Sequence, residues 1–326
     1  MRKISAWLFK FLVTIGILYY LLQNIPVQQI FTSLANVNVI YLFPAFFLQI
    51  GMHYLNAMQL KIFSERQKME FAVLGLIKIN LITQFYGLLL PGELSAGLVK
   101  WHKLSRKNKM PAQAMACVVL MRTVFMLSLA ILGIVFFLIE MPYHSTPILL
   151  SLTLGLACSV LLYLSIISIT VSNVIENLLN GLKFLEIPEF IREKARNFWG
   201  SIKRFHGMSL ATSNYTLFLS FVYHLAGIFS VYFIMQAVKI NIPIISIIWI
   251  RSAVIFLQLF PISISGLGVR EGAFVFLLGR YHVPSSDAMA LSVIIFGITV
   301  FMALVGGAFE AHELLFEKKV IKNDLQ

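Results

Sequence analysis

Long apolar runs separated by short basic segments dominate the pattern along this chain. A helix of about 20 apolar residues can cross a hydrocarbon core about 30 Å thick. Runs of this kind cover residues 5–22, 39–60, 112–139, 147–171, 214–236 and 286–312. The pattern therefore predicts an all-α, polytopic integral membrane protein with about six full spans. The first run lacks the small-residue cleavage pattern of a signal peptide and is predicted to remain as a span.

Two further apolar stretches contain breaks and do not fit single spans. Residues 71–99 break at Leu90–Gly92, because proline cannot continue a helix and glycine permits a turn. As helix, this stretch measures about 43 Å, which is short of the roughly 60 Å that two full crossings need. We predict a re-entrant hairpin that enters and leaves on one side. Residues 244–279 break at Pro261–Gly268 and predict a matching hairpin from the other side, with two short crossings as the alternative.

Basic residues are unevenly distributed between the connecting segments. Most of the 26 Lys and Arg residues lie in residues 1–10, 61–70, 100–109, 172–213 and the tail after 312. The alternate loops hold only Lys239 and Arg280. By the positive-inside rule this asymmetry predicts a multi-pass protein of the cytoplasmic membrane with both termini in the cytoplasm. It also accounts for the net charge of +12 without nucleic acid as a partner.

The order of spans and hairpins predicts an internal inverted repeat within a single transmembrane domain, residues 1–326. The first unit covers about 39–139 and the second about 214–312, and each is a span, a hairpin and a span. Such inverted repeats with broken helices are common in transporters. The linker between them, about 172–213, alternates basic and apolar residues. It is predicted to form an amphipathic helix on the anionic cytoplasmic leaflet.

Charged residues inside the apolar runs are candidates for function, because a charge in a membrane is costly. Arg122 lies about 15 Å into its span, too deep to reach the surface easily, and Arg251 lies within the second hairpin. Glu93 directly follows the first break, where a helix dipole alone would favour an acid. We expect it to act as a counter-charge or proton carrier, or simply to begin a helix.

The second break is followed by a pattern typical of anion sites. Ser265, Gly266 and Gly268 leave backbone N–H groups available at the start of a half-helix. Arg270 adds a guanidinium that can donate two parallel hydrogen bonds to one phosphate. The alternative is that Arg270 and Glu271 only pair with other buried charges.

Other chemistry has little support in the sequence. The only Asp residues are Asp287 and Asp324, and no acidic cluster with metal-binding spacing occurs. No Ser, His and Asp are placed for nucleophilic catalysis. His53 and His224 are interpreted as structural. We therefore predict no cofactor, no metal and no catalytic residues.

Two segments resemble a known family. The stretch Pro261–Phe274, with the sequence PISISGLGVREGAF, is similar to a motif of the transmembrane region of lysylphosphatidylglycerol synthetases, the flippase-like family. Leu90–Glu93 with Lys100 and Arg122 resembles an earlier motif of that family. The family often has arginine at the position of Lys100. The resemblance covers roughly residues 10–312. It implies the membrane module without the soluble synthase domain, since the chain ends at Gln326, and a role in moving lipids between leaflets.

These observations favour a lipid translocator over an enzyme. Its substrate would be an anionic or polyprenyl-phosphate-linked lipid, and its main partners would be membrane lipids. Arg122, Arg251 and Arg270 would hold the phosphate, and Glu93 and Glu271 would be their charge partners. Two alternatives remain: a membrane-embedded glycosyltransferase, which the scarcity of acids in the outer loops disfavours, and an accessory subunit among the enzymes of lipid or polysaccharide biosynthesis.

Overall fold

The fold is built from helices of very different length. A computed structural model describes residues 14–17, 19–21, 23, 25–90, 93–140, 146–170, 173–174, 189–259, 263 and 266–323, and these contain no strand. In chain order the helices are α1 (Val27–Ala35), a 3₁₀ turn (Val39–Tyr41), α2 (Leu42–Arg66), α3 (Val73–Leu89), α4 (Glu93–Asn108), α5 (Pro111–Ile139), α6 (Thr146–Ile167), α7 (Glu189–Lys203), α8 (Leu210–Ala237), α9 (Ile244–Leu259), α10 (Val269–Gly279) and α11 (Ser285–Asn323).

The predicted polytopic all-α class is confirmed. Helical segments long and apolar enough to cross a membrane cover Val39–Arg66, Pro111–Ile139, Leu210–Ala237 and Ser285–Leu315. They correspond to four of the predicted spans. The predicted span 147–171 contains α6, of which Leu152–Ile167 forms a shorter apolar helix. Most of the predicted span 5–22 lies outside the described residues.

The first hairpin breaks where the sequence predicts. Helix α3 ends at Leu89, Leu90 is extended, and α4 begins at Glu93, while Pro91 and Gly92 lie outside the described residues. The 17 residues of α3 measure about 26 Å, most of the way through a hydrocarbon core. The interpretation of residues 100–109 as a loop is wrong, because α4 continues to Asn108. Lys and Arg are good helix formers, and this helix ends only before Lys109, whose φ angle of 53° is left-handed.

The basic segments gather at one end of the bundle. The ammonium nitrogen of Lys107, near the end of α4, lies 5.0 Å from the ring centre of Phe71, which precedes α3. The first hairpin therefore begins and ends at the same end. Arg66 at the end of α2 donates to the carbonyl of Arg204, 3.1 Å away, which brings the end of α7 there as well.

The second hairpin opens at the opposite end. Glu140 follows α5, which starts at the basic end and crosses the bundle. Its carboxylate accepts hydrogen bonds from Ser246 Oγ and Trp249 Nε1 of α9, each at 2.5 Å. Tyr281, just after α10, is also close to Glu140. Burial, with this carboxylate adding to it, raises the pKa of Tyr281 to about 12. Both ends of the α9–α10 hairpin thus meet Glu140, and the two hairpins enter from opposite ends.

Helix packing is reciprocal between the two halves. Helix α2 packs against α8, while α3 packs against α11 and α9 packs against α5. The α3–α11 contact is close enough for backbones to touch: a Cβ added at Gly306 would lie 2.0 Å from the carbonyl oxygen of Leu81. Small residues at helix contacts allow such approach within membranes. The unit bounds of the repeat stay a prediction.

The linker helix is anchored to the protein. Helix α7 lies within the predicted amphipathic linker, of which residues 175–188 are outside the described part. Ile202 and Phe205 are buried, and the Phe205 ring packs edge-on against Phe63 of α2 at 6.0 Å. Gln67 also donates to the carbonyl of Ser201 at 2.8 Å. The apolar face of α7 therefore covers the basic end of the bundle, and contact of this helix with lipid stays a prediction.

Candidate anion-binding site

Two neighbouring cavities lie inside the bundle. The first has a volume of about 310 Å³ and is lined by residues of α2, α5, α8, α9, α10 and α11. Its polar lining residues are Gln49, Tyr223, Ser230, Arg251, Gln258, Arg270 and Thr299. The second measures about 210 Å³ and lies between α2, α3, α4 and α8. It is lined by Gln49, Met52, His53, Asn56, Asn80, Gln84, Lys100 and Tyr223. Gln49 and Tyr223 border both cavities.

Arg251 is the central cation of the first cavity. Its side chain is buried, and its guanidinium lies against the backbone of α8, where a Cβ at Gly227 would be only 2.1 Å from Nη2. Glycine inside a helix costs about 1 kcal/mol relative to alanine, and here it makes room for the arginine. Among the described residues, no hydrogen-bond partner reaches Nη1 of Arg251. A buried charge left in this state favours an anionic ligand.

Arg270 also lines the first cavity but already has partners. Its Nη2 lies 2.5 Å from Glu271 Oε1, its Nε donates to Ser292 Oγ at 2.9 Å, and its guanidinium lies 5.1 Å from the centre of the Phe296 ring. Ser292 in turn donates to Glu271 at 3.0 Å. The structure thus pairs Arg270 with the acid next to it in sequence, on the wall of the cavity.

The Glu271 side chain caps the start of its own helix, α10. The backbone N–H of Gly268 donates to Glu271 Oε2 at 2.6 Å, so that amide is occupied in this structure. Gly266 and Gly268 have φ angles of 71° and 82°, which favour glycine. A Cβ at Gly266 would also lie 2.5 Å from the side-chain nitrogen of Gln258. Ser265, the other predicted member of this site, lies outside the described residues.

The remaining predicted residues are placed differently. Arg122 is half-buried on α5 and is not among the lining residues of either cavity, but it lies close enough to Lys100 for the two charges to repel. Lys100 lines the second cavity, with its Nζ 3.5 Å from Asn56 Oδ1. Glu93 begins α4, and its side chain lies outside the described part of the structure, as does its predicted pairing with an arginine.

Several uncharged residues of the site were missed in the sequence. Gln49, His53 and Asn56 follow one face of α2, and Asn80 and Gln84 are one turn apart on α3. Spacings of three, four and seven residues place side chains on one face of a helix. A search for polar stripes at this spacing would have found them. His53, interpreted as structural, belongs to this stripe.

The described lining of the two cavities has a marked charge imbalance. It includes Arg251, Arg270 and Lys100 and no carboxylate, and among the described residues only Arg270 of these three forms an ion pair with an acid. In a low-dielectric interior such an excess of positive charge attracts anions strongly. Groups of three or more His, Cys, Asp or Glu that could hold a metal ion are not found among the described residues.

The fold and the cavities define a polytopic helical membrane protein with an internal site suited to anions. The chain belongs to the family described as the lysylphosphatidylglycerol synthase TM region, whose profile matches residues 7–307. The match includes both hairpins and every residue that lines the two cavities. A comparison with curated proteins gives no match.

Proposed function

We propose that this protein moves an anionic lipid between the two leaflets of the cytoplasmic membrane. The observation that carries the proposal is Arg251, a buried cation in a cavity of about 310 Å³ whose Nη1 lacks a partner among the described residues. Membership of a family named after lysylphosphatidylglycerol synthesis supports a membrane lipid as the ligand. The phosphate of the lipid would bind beside Arg251, and its tails would stay in the bilayer.

The arrangement of hairpins fits alternating access to such a site. The α3–α4 hairpin opens at the basic end and the α9–α10 hairpin at the other end, and the cavities lie between them. Transporters with inverted repeats bind substrate where their broken helices meet. In our proposal each hairpin controls access from one side, with the basic end in the cytoplasm.

Arg270 would have a different task from Arg251. It is already held by Glu271 and Ser292, so it can turn from these partners to a phosphate and back without being left uncompensated. Such an exchange keeps the site from binding its anion too tightly for release. Phosphate is common to phospholipids and polyprenyl-phosphate lipids, and both remain within this proposal.

A liposome assay tests the proposal. The purified chain is reconstituted in vesicles that contain a fluorescent phosphatidylglycerol, and an impermeant quencher reports the loss of label from the inner leaflet. Arg251→Gln should slow translocation by about tenfold or more, because a hydrogen bond to a charged group contributes about 1.5–3 kcal/mol. Arg196→Gln, at an exposed position on α7, is the matched control and should leave the rate unchanged.

Two results would contradict the proposal. If Arg251→Gln transports the lipid at the wild-type rate, the phosphate site is wrong. If the wild-type protein moves no lipid but converts a lipid-linked sugar that is added to the same vesicles, the glycosyltransferase alternative replaces this proposal.

A further inference from the structure

The second cavity differs chemically from the first. Its lining contains four carboxamide side chains, those of Gln49, Asn56, Asn80 and Gln84, together with one histidine, one tyrosine and one lysine. A carboxamide both donates and accepts hydrogen bonds, whereas an ionised phosphate only accepts them. A surface rich in carboxamides is therefore better matched to hydroxyl groups, which also donate and accept, than to a second phosphate.

Asn80 points most directly to a ligand. Its side chain is 5% exposed, and neither Oδ1 nor Nδ2 has a hydrogen-bond partner among the described residues. Buried polar groups in proteins are nearly always paired, so an amide with both ends open marks a place where a ligand or water must supply a donor and an acceptor. A hydroxyl group supplies both at once.

Neighbouring side chains are fixed around Asn80. Gln84 lies one turn further along α3 and donates to the backbone carbonyl of Thr299 at 3.0 Å, which orients its amide. Lys100 has its ammonium 3.5 Å from Asn56 Oδ1. Lys100 is the one cation on the described lining of this cavity.

Size and position connect the second cavity to the phosphate site. Its volume of about 210 Å³ equals that of about seven water molecules at roughly 30 Å³ each, which is enough for a small polyol or a single sugar. Gln49 and Tyr223 border both cavities, so one head group can extend from one into the other.

We propose that the second cavity binds the hydroxyl-rich part of a head group, a sugar or polyol, whose phosphate lies beside Arg251. This inference rests on the proposed function and narrows its substrate class. The lipid is a phosphodiester that carries several hydroxyls on its head group. Asn80 and Asn56 recognise the hydroxyls, and Lys100, on the wall of the second cavity, donates to an oxygen of the head group.

Binding to the full chain in detergent tests this inference with two matched pairs of lipids. Phosphatidylinositol and phosphatidylethanol are both singly charged diesters, and only the first carries a polyol. A glucosyl phosphoryl polyprenol and a polyprenyl methyl phosphate form the corresponding pair with the other kind of tail. The wild-type protein should bind the hydroxylated member of one pair about thirtyfold tighter, as two hydrogen bonds of average strength provide. The pair that shows the preference identifies the tail.

Asn80→Leu should abolish this preference and leave the affinity for the hydroxyl-free lipid unchanged. Asn56→Leu should also abolish the preference, and it replaces Asn80→Leu in the test if that variant does not fold. Asn214→Leu, at an exposed position on α8, is the control and should keep the preference.

Two results separate the inference from the function on which it rests. Equal affinity of the wild type for both members of each pair, or a preference that survives Asn80→Leu, overturns the hydroxyl site and leaves the phosphate site standing. Unchanged affinity of Arg251→Gln for all four lipids overturns the phosphate site itself, and with it this inference.

Discussion

Gly227 and Arg251 show how a single missing side chain shapes the site. Alanine at position 227 would favour the helix, but its Cβ would occupy the place of the Arg251 guanidinium, 2.1 Å away. We expect Gly227→Ala to fold with at least wild-type stability and to bind an anionic lipid about tenfold more weakly, because the displaced arginine loses charge-assisted hydrogen bonds. Lipid binding and thermal unfolding in detergent measure the two effects.

Gly297 offers a control on α11, since a Cβ there would meet nothing within 4 Å. Gly297→Ala should change neither binding nor folding for the worse. Wild-type affinity in Gly227→Ala would show that the position of the Arg251 side chain does not matter for the ligand.

Arg270 and Glu271 should behave as one unit. Both are buried, at 6% and 3% exposure, and breaking a buried ion pair costs about 3–5 kcal/mol, since one charge is left alone. Arg270→Gln should therefore destabilise the protein strongly. The double change Arg270→Gln with Glu271→Gln should cost less than the two single changes added together, with a coupling of about 1–3 kcal/mol. Unfolding in detergent gives these values, and strict additivity would show that the pair does not exist in the membrane protein.

At the scale of residues, the charged residues that line the cavities could be predicted from the sequence, and the uncharged ones could not. A cation in an apolar run is conspicuous, and Arg251 and Arg270 both line the first cavity. Carboxamides such as Asn80 and Gln84 cost less to place in a membrane helix and do not interrupt its apolar character. The pairing of Arg270 with Glu271 depends on the conformations of the two side chains, and hydropathy carries no information about these.

At the scale of helices, the contact between α3 and α11 has no spare room. A Cβ at Gly306 would lie 2.0 Å from the backbone oxygen of Leu81, and a backbone atom cannot move aside as a side-chain tip can. Gly306→Ala should therefore separate the two helices and destabilise the protein by about 2 kcal/mol or more. Thermal unfolding measures this loss, with Gly297→Ala on the same helix as the control. A stable Gly306→Ala variant would contradict the backbone contact.

The first hairpin is also tied to α11 by charge. Lys103 of α4 forms an ion pair with Glu310 and another with Glu313 at 2.8 Å, and Lys78 of α3 lies 2.9 Å from Glu313. Glu140 has a comparable place at the opposite end, where it connects α5 to α9. Each hairpin is thus held by an acid on or next to the last helix of the other repeat unit. In our proposal, these contacts are the ones that release during transport.

The element boundaries were predictable where backbone chemistry decides them. Proline and glycine stop helices for steric reasons, so the end of α3 near Leu90 followed from the sequence. The extension of α4 to Asn108 did not, because basic residues fit a helix as well as a loop. The apolar face of α7 was also visible in the sequence, but a hydrophobic face does not specify whether protein or lipid covers it.

The described basic segments gather at one end of the bundle, and this gives a test of topology. Glu70 and Arg106 are exposed near that end, and Asn241 is exposed in the loop before the second hairpin. In a background without Cys117 and Cys158, an impermeant maleimide on intact cells should label Asn241→Cys. Glu70→Cys and Arg106→Cys should react only after permeabilisation, since basic segments face the cytoplasm. Labelling of positions 70 and 106 from opposite sides would contradict the hairpin.

At the scale of the whole molecule, the sequence was sufficient to predict a polytopic helical membrane protein. It was not sufficient to predict the cavities. Apolar runs and the distribution of Lys and Arg follow directly from the solvent properties of a bilayer. The first cavity, in contrast, is assembled from six helices far apart in the chain, and its shape depends on contacts such as that of Gly227 with Arg251. Such contacts arise only when the helices pack together.

The most direct test of lipid translocation compares two fluorescent lipids with identical tails in the same proteoliposomes. One is phosphatidylglycerol, which is anionic, and the other is phosphatidylcholine, which has no net charge. The account predicts that the purified chain speeds the movement of the anionic lipid well above that in protein-free vesicles, favours it over phosphatidylcholine, and loses this activity in Arg251→Gln. Movement of both lipids at the protein-free rate, or at equal rates that Arg251→Gln does not change, would contradict it.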